Sequence, residues 1–299
     1  MAGDEVIAGG NVFEGFENRT VACDDGLINL KVGGNGPPLL LLHGYPQNHI
    51  MWHKIAPQLA QRFTVIASDL RGYGDSFKPK SVEDHSSYSK RAMANEQVQV
   101  MASLGFDRFS VVGHDRGARV AHRMARDHPS RIDKLVVMDI APTATMYGNT
   151  DKAFATAYYH WFFLIQPFDL PERMIGADPA FYLSSKLKAW GRTEGAITAE
   201  AFSEYRRCFS MPETIHASCE DYRAAATIDL EHDQANGSEK ISHPLLVLWG
   251  AQGFVGATYD VLATWREVAS DVQGFSVPGG HFLPEEAPDD VLKALLEFL

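Results

Sequence analysis

Short apolar runs of strand length alternate with helical stretches, and that alternation limits the possible folds more than any other feature of this chain. Leu39–Leu42, Phe63–Ala67, Phe109–Val112, Leu135–Met138 and Leu245–Trp249 are compact runs, several rich in Val and Ile. Between them Ile50–Gln61, Tyr88–Leu104 and Arg116–His128 read as helices. Strands separated by helices build right-handed crossovers, so the expected core is an α/β, mostly parallel central sheet with helices on both faces.

After Ala141-Pro142 the alternation stops. Residues 143–243 carry helical periodicity and many aromatics, including Tyr158-Tyr159-His160-Trp161-Phe162-Phe163, without a buried strand. At Pro244 the strand pattern resumes; it runs through Phe275–Val277 to a last helix near Ala287–Leu299. The predicted organisation is a core of residues 1–142 and 244–299 interrupted by a helical segment, 143–243. If that insertion leaves the sheet at its carboxyl end, it covers the edge where open α/β sheets bind ligands and acts as a cap. A second helical domain with no part in the chemistry is the plainer alternative.

The 299 residues are long enough for one core plus an insertion. A formal charge of −11 argues against nucleic acid as partner, because phosphate binding needs a basic face. It leaves room for an anionic substrate, since two well-placed arginines reverse the field locally. The three cysteines, Cys23, Cys208 and Cys219, are odd in number and form no C-x-x-C pair, against a disulfide framework or a zinc cluster. Met1-Ala2-Gly3-Asp4-Glu5 has no basic region followed by an apolar run, and no stretch reaches the roughly 20 apolar residues of a membrane span. A soluble cytoplasmic protein is expected.

The most informative stretch is Gly113-His114-Asp115-Arg116-Gly117, where an apolar strand runs straight into Gly-x-Asp-x-Gly and a helix. It has the shape of a nucleophile elbow with Asp where ester hydrolases carry Ser. An N-capping Asp between two glycines would look the same in isolation. Three further motifs weigh against that: His43-Gly44-Tyr45-Pro46 after one strand, Ser68-Asp69-Leu70-Arg71-Gly72-Tyr73-Gly74-Asp75-Ser76 after the next, and Gly279-Gly280-His281-Phe282 near the end. The chain order nucleophile, acid, histidine is the one such an elbow calls for.

With these motifs the chain resembles the α/β-hydrolase superfamily over nearly its whole length, and within it the fluoroacetate dehalogenases. His-Asp-Arg-Gly-Ala-Arg at 114–119 and His160-Trp161 carry the second resemblance. The fold it implies is an α/β-hydrolase core with an inserted helical cap domain, and it also implies a homodimer with the cap as a contact surface.

An Asp carboxylate is ionised at neutral pH and suits displacement at saturated carbon, giving an ester that water must then cleave. His281 is the expected base for that water, and the backbone N–H groups of Tyr45 and Arg116 the expected oxyanion hole. No carboxylate follows the Leu245–Trp249 strand in Gly250-Ala251-Gln252-Gly253-Phe254-Val255, so the histidine's orienting acid is sought elsewhere. Asp139, ending the preceding strand, is the choice, in agreement with the resemblance; Asp260 is the reserve. Arg119 lies one helical turn beyond Asp115, so Arg116 and Arg119 together are expected to grip a substrate carboxylate. Either could instead pair with a surface acid. Relatives acting on neutral haloalkanes or epoxides usually carry Trp at the position of Arg116. The resemblance implies that His160, Trp161 and Tyr222 bind the departing halide; cap packing is the alternative for Trp161. His43 and His114 read as structural, and Arg71 and Asp75-Ser76 as parts of a turn.

The expected reaction is hydrolysis of a short 2-haloacid by water, with no cofactor and no metal. An epoxide hydrolase shares the Asp, the His and the His-Gly-x-Pro loop, but normally needs two cap tyrosines; Tyr158, Tyr159, Tyr182, Tyr205 and Tyr222 leave that open. An esterase gains little from Asp, since attack on an ester gives a mixed anhydride. A ligand-binding protein that kept the pocket has no use for an intact Asp115, His281 and Asp139 set.

Overall fold

The computed structural model describes residues 12–299, so Met1–Glu5 and the rest of the first eleven residues lie outside the described residues. Eight strands form one sheet: β1 (Phe16–Ala22), β2 (Leu27–Gly33), β3 (Pro38–Leu42), β4 (Thr64–Ser68), β5 (Phe109–His114), β6 (Ile132–Met138), β7 (Leu245–Gly250) and β8 (Val272–Val277). Their order is β1-β2-β4-β3-β5-β6-β7-β8. β3 to β8 run parallel, as the alternation predicts, while β1 and β2 are antiparallel at one edge. The edge pair is absent from the sequence reading because β1 is mostly exposed and in β2 Asn29 and Lys31 alternate with buried Ile28 and Leu30. Neither makes the apolar run that marks a strand covered on both faces.

The central strands hold the core. Leu39, Leu40, Leu41 and Leu42 are completely buried, each stabilising the fold by about 1.5–3 kcal/mol through burial. Helices α1 (Lys90–Ser103) and α2 (Arg116–Asp127) pack on each other, and α2 lies against β5 and β6. The helix expected over Ile50–Gln61 is instead a 3-10 turn, His49–Trp52, and one helical turn, Ala56–Leu59. Pro57 has no N–H to donate back toward His53, so it opens a new turn rather than extending the old one.

Between β6 and β7 the chain is helical from Thr143 to Ala235. Four of its helices matter below: α3 (Tyr159–Phe163), α4 (Pro179–Trp190), α5 (Pro212–Ala226) and α6 (Ile228–Ala235). The insertion leaves at the carboxyl end of β6, its first helical residue, Thr143, four positions past Asp139, and therefore stands over the strand ends. Helices α7 (Val261–Val268) and α8 (Pro288–Phe298) complete the core. Among the described residues no helix is long and apolar enough to cross a membrane.

Candidate active site

Asp115 sits on the first residue past β5, in the sharp turn that leads into α2. Its φ of 47° lies in the left-handed region, a placement that costs a non-glycine residue about 1–3 kcal/mol. The turn tolerates no side chain on either flank. A Cβ at Gly113 would come within 2.5 Å of the Ala118 Cα, and one at Gly117 within 2.4 Å of the His43 carbonyl oxygen. Asp115 N–H donates to the Met138 carbonyl at 3.1 Å, anchoring the turn to β6.

The carboxylate's two oxygens differ. Oδ1 accepts the Tyr45 backbone N–H at 2.8 Å, whereas Oδ2 stands 3.9 Å from His281 Nε2, too far for a hydrogen bond. One oxygen is therefore held and the other is open. The Arg116 backbone N–H, the second expected oxyanion donor, is not bonded to this carboxylate. Burial alone would push the Asp115 carboxyl up, but the charges of His281, Arg116 and Arg119 outweigh it and hold the group below the usual carboxylate range.

His281, in the loop after β8, bonds through Nδ1 to Asp139 Oδ2 at 2.6 Å. Asp139 ends β6 with φ 51°. Its other oxygen accepts the Gly250 N–H at 3.0 Å, and its own N–H donates to Leu248 at 2.8 Å. The carboxylate is thus pinned from β7 and points at one ring nitrogen. Burial disfavours the charged imidazole, yet the bond and charge of Asp139 prevail and raise the His281 pKa. His114 donates from Nε2 to the His281 carbonyl at 2.7 Å, its own ring lowered to about 3 by burial and by its histidine neighbour. His43 likewise fixes a loop, accepting the Leu70 N–H at 3.0 Å. The reserve acid, Asp260, is spent elsewhere: exposed, it caps α7 by accepting the Ala263 N–H at 3.0 Å.

The insertion supplies the opposite wall. The Tyr222 ring lies 4.2 Å from the Arg116 Cζ, and the Trp161 ring 4.9 Å from the Arg119 Cζ. His160 and Trp161 approach Tyr222 with ring centroids at 5.5 and 6.3 Å. His160, Trp161, Tyr222, Arg116 and Arg119 are all buried. Burial, and then the negative charge of Asp115, keeps the proton on the Tyr222 hydroxyl. Burial lowers the His160 pKa, so this ring is neutral.

The arginines differ from the expectation of two free forks. Arg116 is taken up by Asp221: Nε donates to Oδ2 at 2.9 Å, and Nη2 to Oδ1 at 2.7 Å and to the backbone carbonyl at 2.8 Å. Among the described residues Arg119 has no carboxylate bonded to it. Its Nη1 donates to the Ala141 carbonyl at 3.1 Å and to Thr143 Oγ1 at 2.8 Å, its Nη2 to Met146 Sδ at 3.1 Å. Arg116 Nη1 and Arg119 Nε are buried without a hydrogen-bond partner among the described residues. Sequence reasoning missed Asp221, because an acid beside Tyr222 on a helix carries no spacing signal. It also missed Trp190, whose ring stands 4.6 Å from His160 and 5.6 Å from His281. A cavity of about 460 Å³ opens there, lined by Asp139, His281, Trp190, Tyr158 and Lys186. A larger cleft of about 720 Å³, between Lys78–Ser81 and Phe168–Gly176, shares no residue with this set.

The strand-end turn that carries Asp115, the Asp139–His281 pair and the helical insertion opposite them fit the site of a hydrolase. The chain matches the alpha/beta hydrolase fold profile over residues 37–288 and belongs to that family. Within it, the chain is 47% identical over 289 residues to a fluoroacetate dehalogenase of Burkholderia sp., covering 96% of this chain and 95% of the relative. It is 35% identical over 269 residues to a soluble epoxide hydrolase of Corynebacterium sp. (strain C12), with coverage of 89% and 91%. A solved Nostoc sp. PCC 7120 protein, described as a candidate alpha/beta hydrolase, superposes with a TM-score of 0.95 at 62% identity, covering 96% of this chain and 98% of its own.

Proposed function

We propose that this enzyme hydrolyses the carbon–halogen bond of short 2-haloacids, fluoroacetate and its chloro and bromo analogues, to the 2-hydroxyacid and halide. The observation that carries the reading is Arg119, a buried guanidinium that among the described residues has no bonded carboxylate and an unpartnered Nε–H, beside an ionised nucleophile. A buried donor left unpaired costs about 1–3 kcal/mol, more when charged. An incoming carboxylate removes that cost at Arg119 and at Arg116 Nη1 together.

In this mechanism Asp115 Oδ2, the open oxygen, attacks the halogen-bearing carbon and expels halide toward the His160, Trp161 and Tyr222 donors. The product is an ester of Asp115. His281 then takes a proton from water, which adds to the Asp115 carbonyl carbon rather than to the substrate. Charge builds on Oδ1, where the Tyr45 N–H already donates at 2.8 Å. Asp139 steadies the imidazolium until the hydroxyacid leaves. The 143–243 insertion serves as the cap, closing a water-poor pocket in which these donors act strongly on a small anion. The apolar surface of the insertion, with Phe168 70% and Phe181 69% exposed, supports a homodimer formed through it.

A free-halide assay across fluoro-, chloro- and bromoacetate, run beside styrene oxide, tests the reading. Halide release without epoxide turnover is the expected result. The second reading, epoxide hydrolysis, draws support from half-buried Tyr182 and buried Tyr222, two phenols against Tyr45, the first accepting its hydroxyl at 3.2 Å. Styrene oxide turnover with no halide release would establish it. One turnover in heavy-oxygen water tests the chemistry: label enters the Asp115 side chain, and the first hydroxyacid carries ordinary oxygen.

A further inference from the structure

Asp221 is completely buried at the point where the insertion meets the core, and it touches three separate core elements. Besides its double bond to Arg116 at the start of α2, it accepts the Tyr73 hydroxyl at 2.7 Å from the loop after β4. It also pairs with the ammonium group of Lys90, the first residue of α1. Lys90 is tied in turn to Asp229 of α6: its backbone N–H donates to Oδ1 at 2.8 Å, and its Nζ lies 3.5 Å from Oδ2. Two buried cations and two buried anions thus form one chain that ends at Arg116. Burial would push the Asp221 carboxyl up, but Arg116 and Lys90 hold it ionised, well below the usual range.

We propose that Asp221, braced by Lys90 and Tyr73, is the positioning residue that aims Arg116, leaving Nη1, with its two N–H bonds, as the one free nitrogen for the substrate carboxylate. The inference rests on the haloacid reading, and it supplies what that reading lacks. A guanidinium next to an ionised carboxylate normally closes on it as a forked pair. Arg116 adjoins Asp115 in sequence and adds to the field that keeps it ionised, yet its bonds go to Asp221. The nucleophile therefore keeps Oδ2 open. Nε and Nη2 are occupied and the Tyr222 face covers the guanidinium plane, so the two remaining N–H bonds, both on Nη1, are directional. Asp221 and Tyr222 are adjacent on α5, so one helix sets both the arginine and the halide donor. Recognition of the acid is then assembled only when the insertion is docked on the core.

The test compares wild type, Asp221→Asn, Asp221→Asn/Lys90→Met and Tyr73→Phe. Acetate, an unreactive carboxylate, is titrated by calorimetry, and KM and kcat for chloroacetate are measured separately. Asp221→Asn is expected to weaken acetate and raise KM together by about tenfold or more, with kcat changed less than about threefold. The double variant removes one buried cation with the anion and keeps the comparison available if the single variant does not fold. Tyr73→Phe alters no charge and should move acetate affinity and KM the same way by roughly threefold. Unchanged acetate affinity in a folded Asp221 variant, or a fall in kcat alone, would overturn the proposal. If wild type binds acetate but releases no halide, the dehalogenase reading fails while the acetate titrations still decide the role of Asp221.

Discussion

Asp115, Asp139 and the Tyr45 loop stand on turns at strand ends, whereas His160, Trp161 and Tyr222 stand on helices of the insertion. The first set is held by the sheet. Both carboxylates occupy left-handed backbone positions, and each is anchored by a backbone bond to a neighbouring strand. Their side chains have assigned partners, Tyr45 N–H for one and His281 with Gly250 N–H for the other. The insertion set is held by aromatic packing instead, and His160 Nδ1 is buried without a hydrogen-bond partner among the described residues. The difference separates two tasks. Bond making needs reacting atoms fixed to a fraction of an ångström, which strand ends provide. In the proposed mechanism, receiving a halide needs donors left unspent until a charge arrives, a task that suits a packed helical wall.

Substitutions in the two sets should consequently differ in kind as well as size. His281→Ala should abolish multiple turnover, by about a thousandfold or more, for every halide alike. Alkylation does not need the base, so intact-protein mass spectrometry after chloroacetate addition should show an adduct on Asp115; a halide burst with no adduct would contradict the ester mechanism. Arg119→Leu comes next, lowering kcat/KM for haloacetates by a few hundredfold, as expected for a desolvated charge pair. Unchanged kcat/KM would remove the carboxylate grip.

Asp139→Asn should cost roughly a hundredfold and move the pH profile. His281 must lose its proton to act as a base, and Asp139 raises its pKa above the ordinary imidazole value of about 6.5. Without that carboxylate the pKa falls, so the acidic limb of the kcat profile should shift to lower pH while the plateau drops. A lower plateau with the limb unmoved would show that Asp139 acts by geometry alone.

How much of this was legible in the sequence follows the same division. Asp115, Asp139 and His281 follow strands, and strand ends are marked by apolar runs and Gly-rich turns that a sequence reader can find. The parallel strands were legible for that reason, and the β1–β2 edge was not, because an exposed hairpin has no such run. The insertion was recognisable only as helical. Which of its residues face the strand ends depends on how α3 and α5 pack, and helical periodicity does not report it. His160, Trp161 and Tyr222 came from a resemblance, and Asp221 and Trp190 from nothing in the sequence. The pairing of Arg116 with Asp221 spans 105 positions, and no local pattern announces a contact of that range.

The smallest expected effect is the one that best separates the two walls. Tyr222→Phe removes one hydroxyl and leaves the ring over Arg116 in place. With its proton held by burial, that hydroxyl stays able to donate at neutral pH. Loss of one such donor costs about 1–2 kcal/mol, or close to tenfold, where the departing ion depends on it. Fluoride concentrates its charge in the smallest volume and is the poorest leaving group of the series, so its departure leans hardest on donors placed to receive it. Fluoroacetate turnover should drop by about tenfold while chloroacetate and bromoacetate turnover change by less than about threefold. Because ester hydrolysis occurs after the halide has gone, the adduct trapped in the His281→Ala background should form more slowly from fluoroacetate and at nearly the same rate from bromoacetate. Equal slowing across the three halides would mean that Tyr222 acts through Arg116 or the packing of α5, and the halide-receiving role would pass to His160 and Trp161 alone.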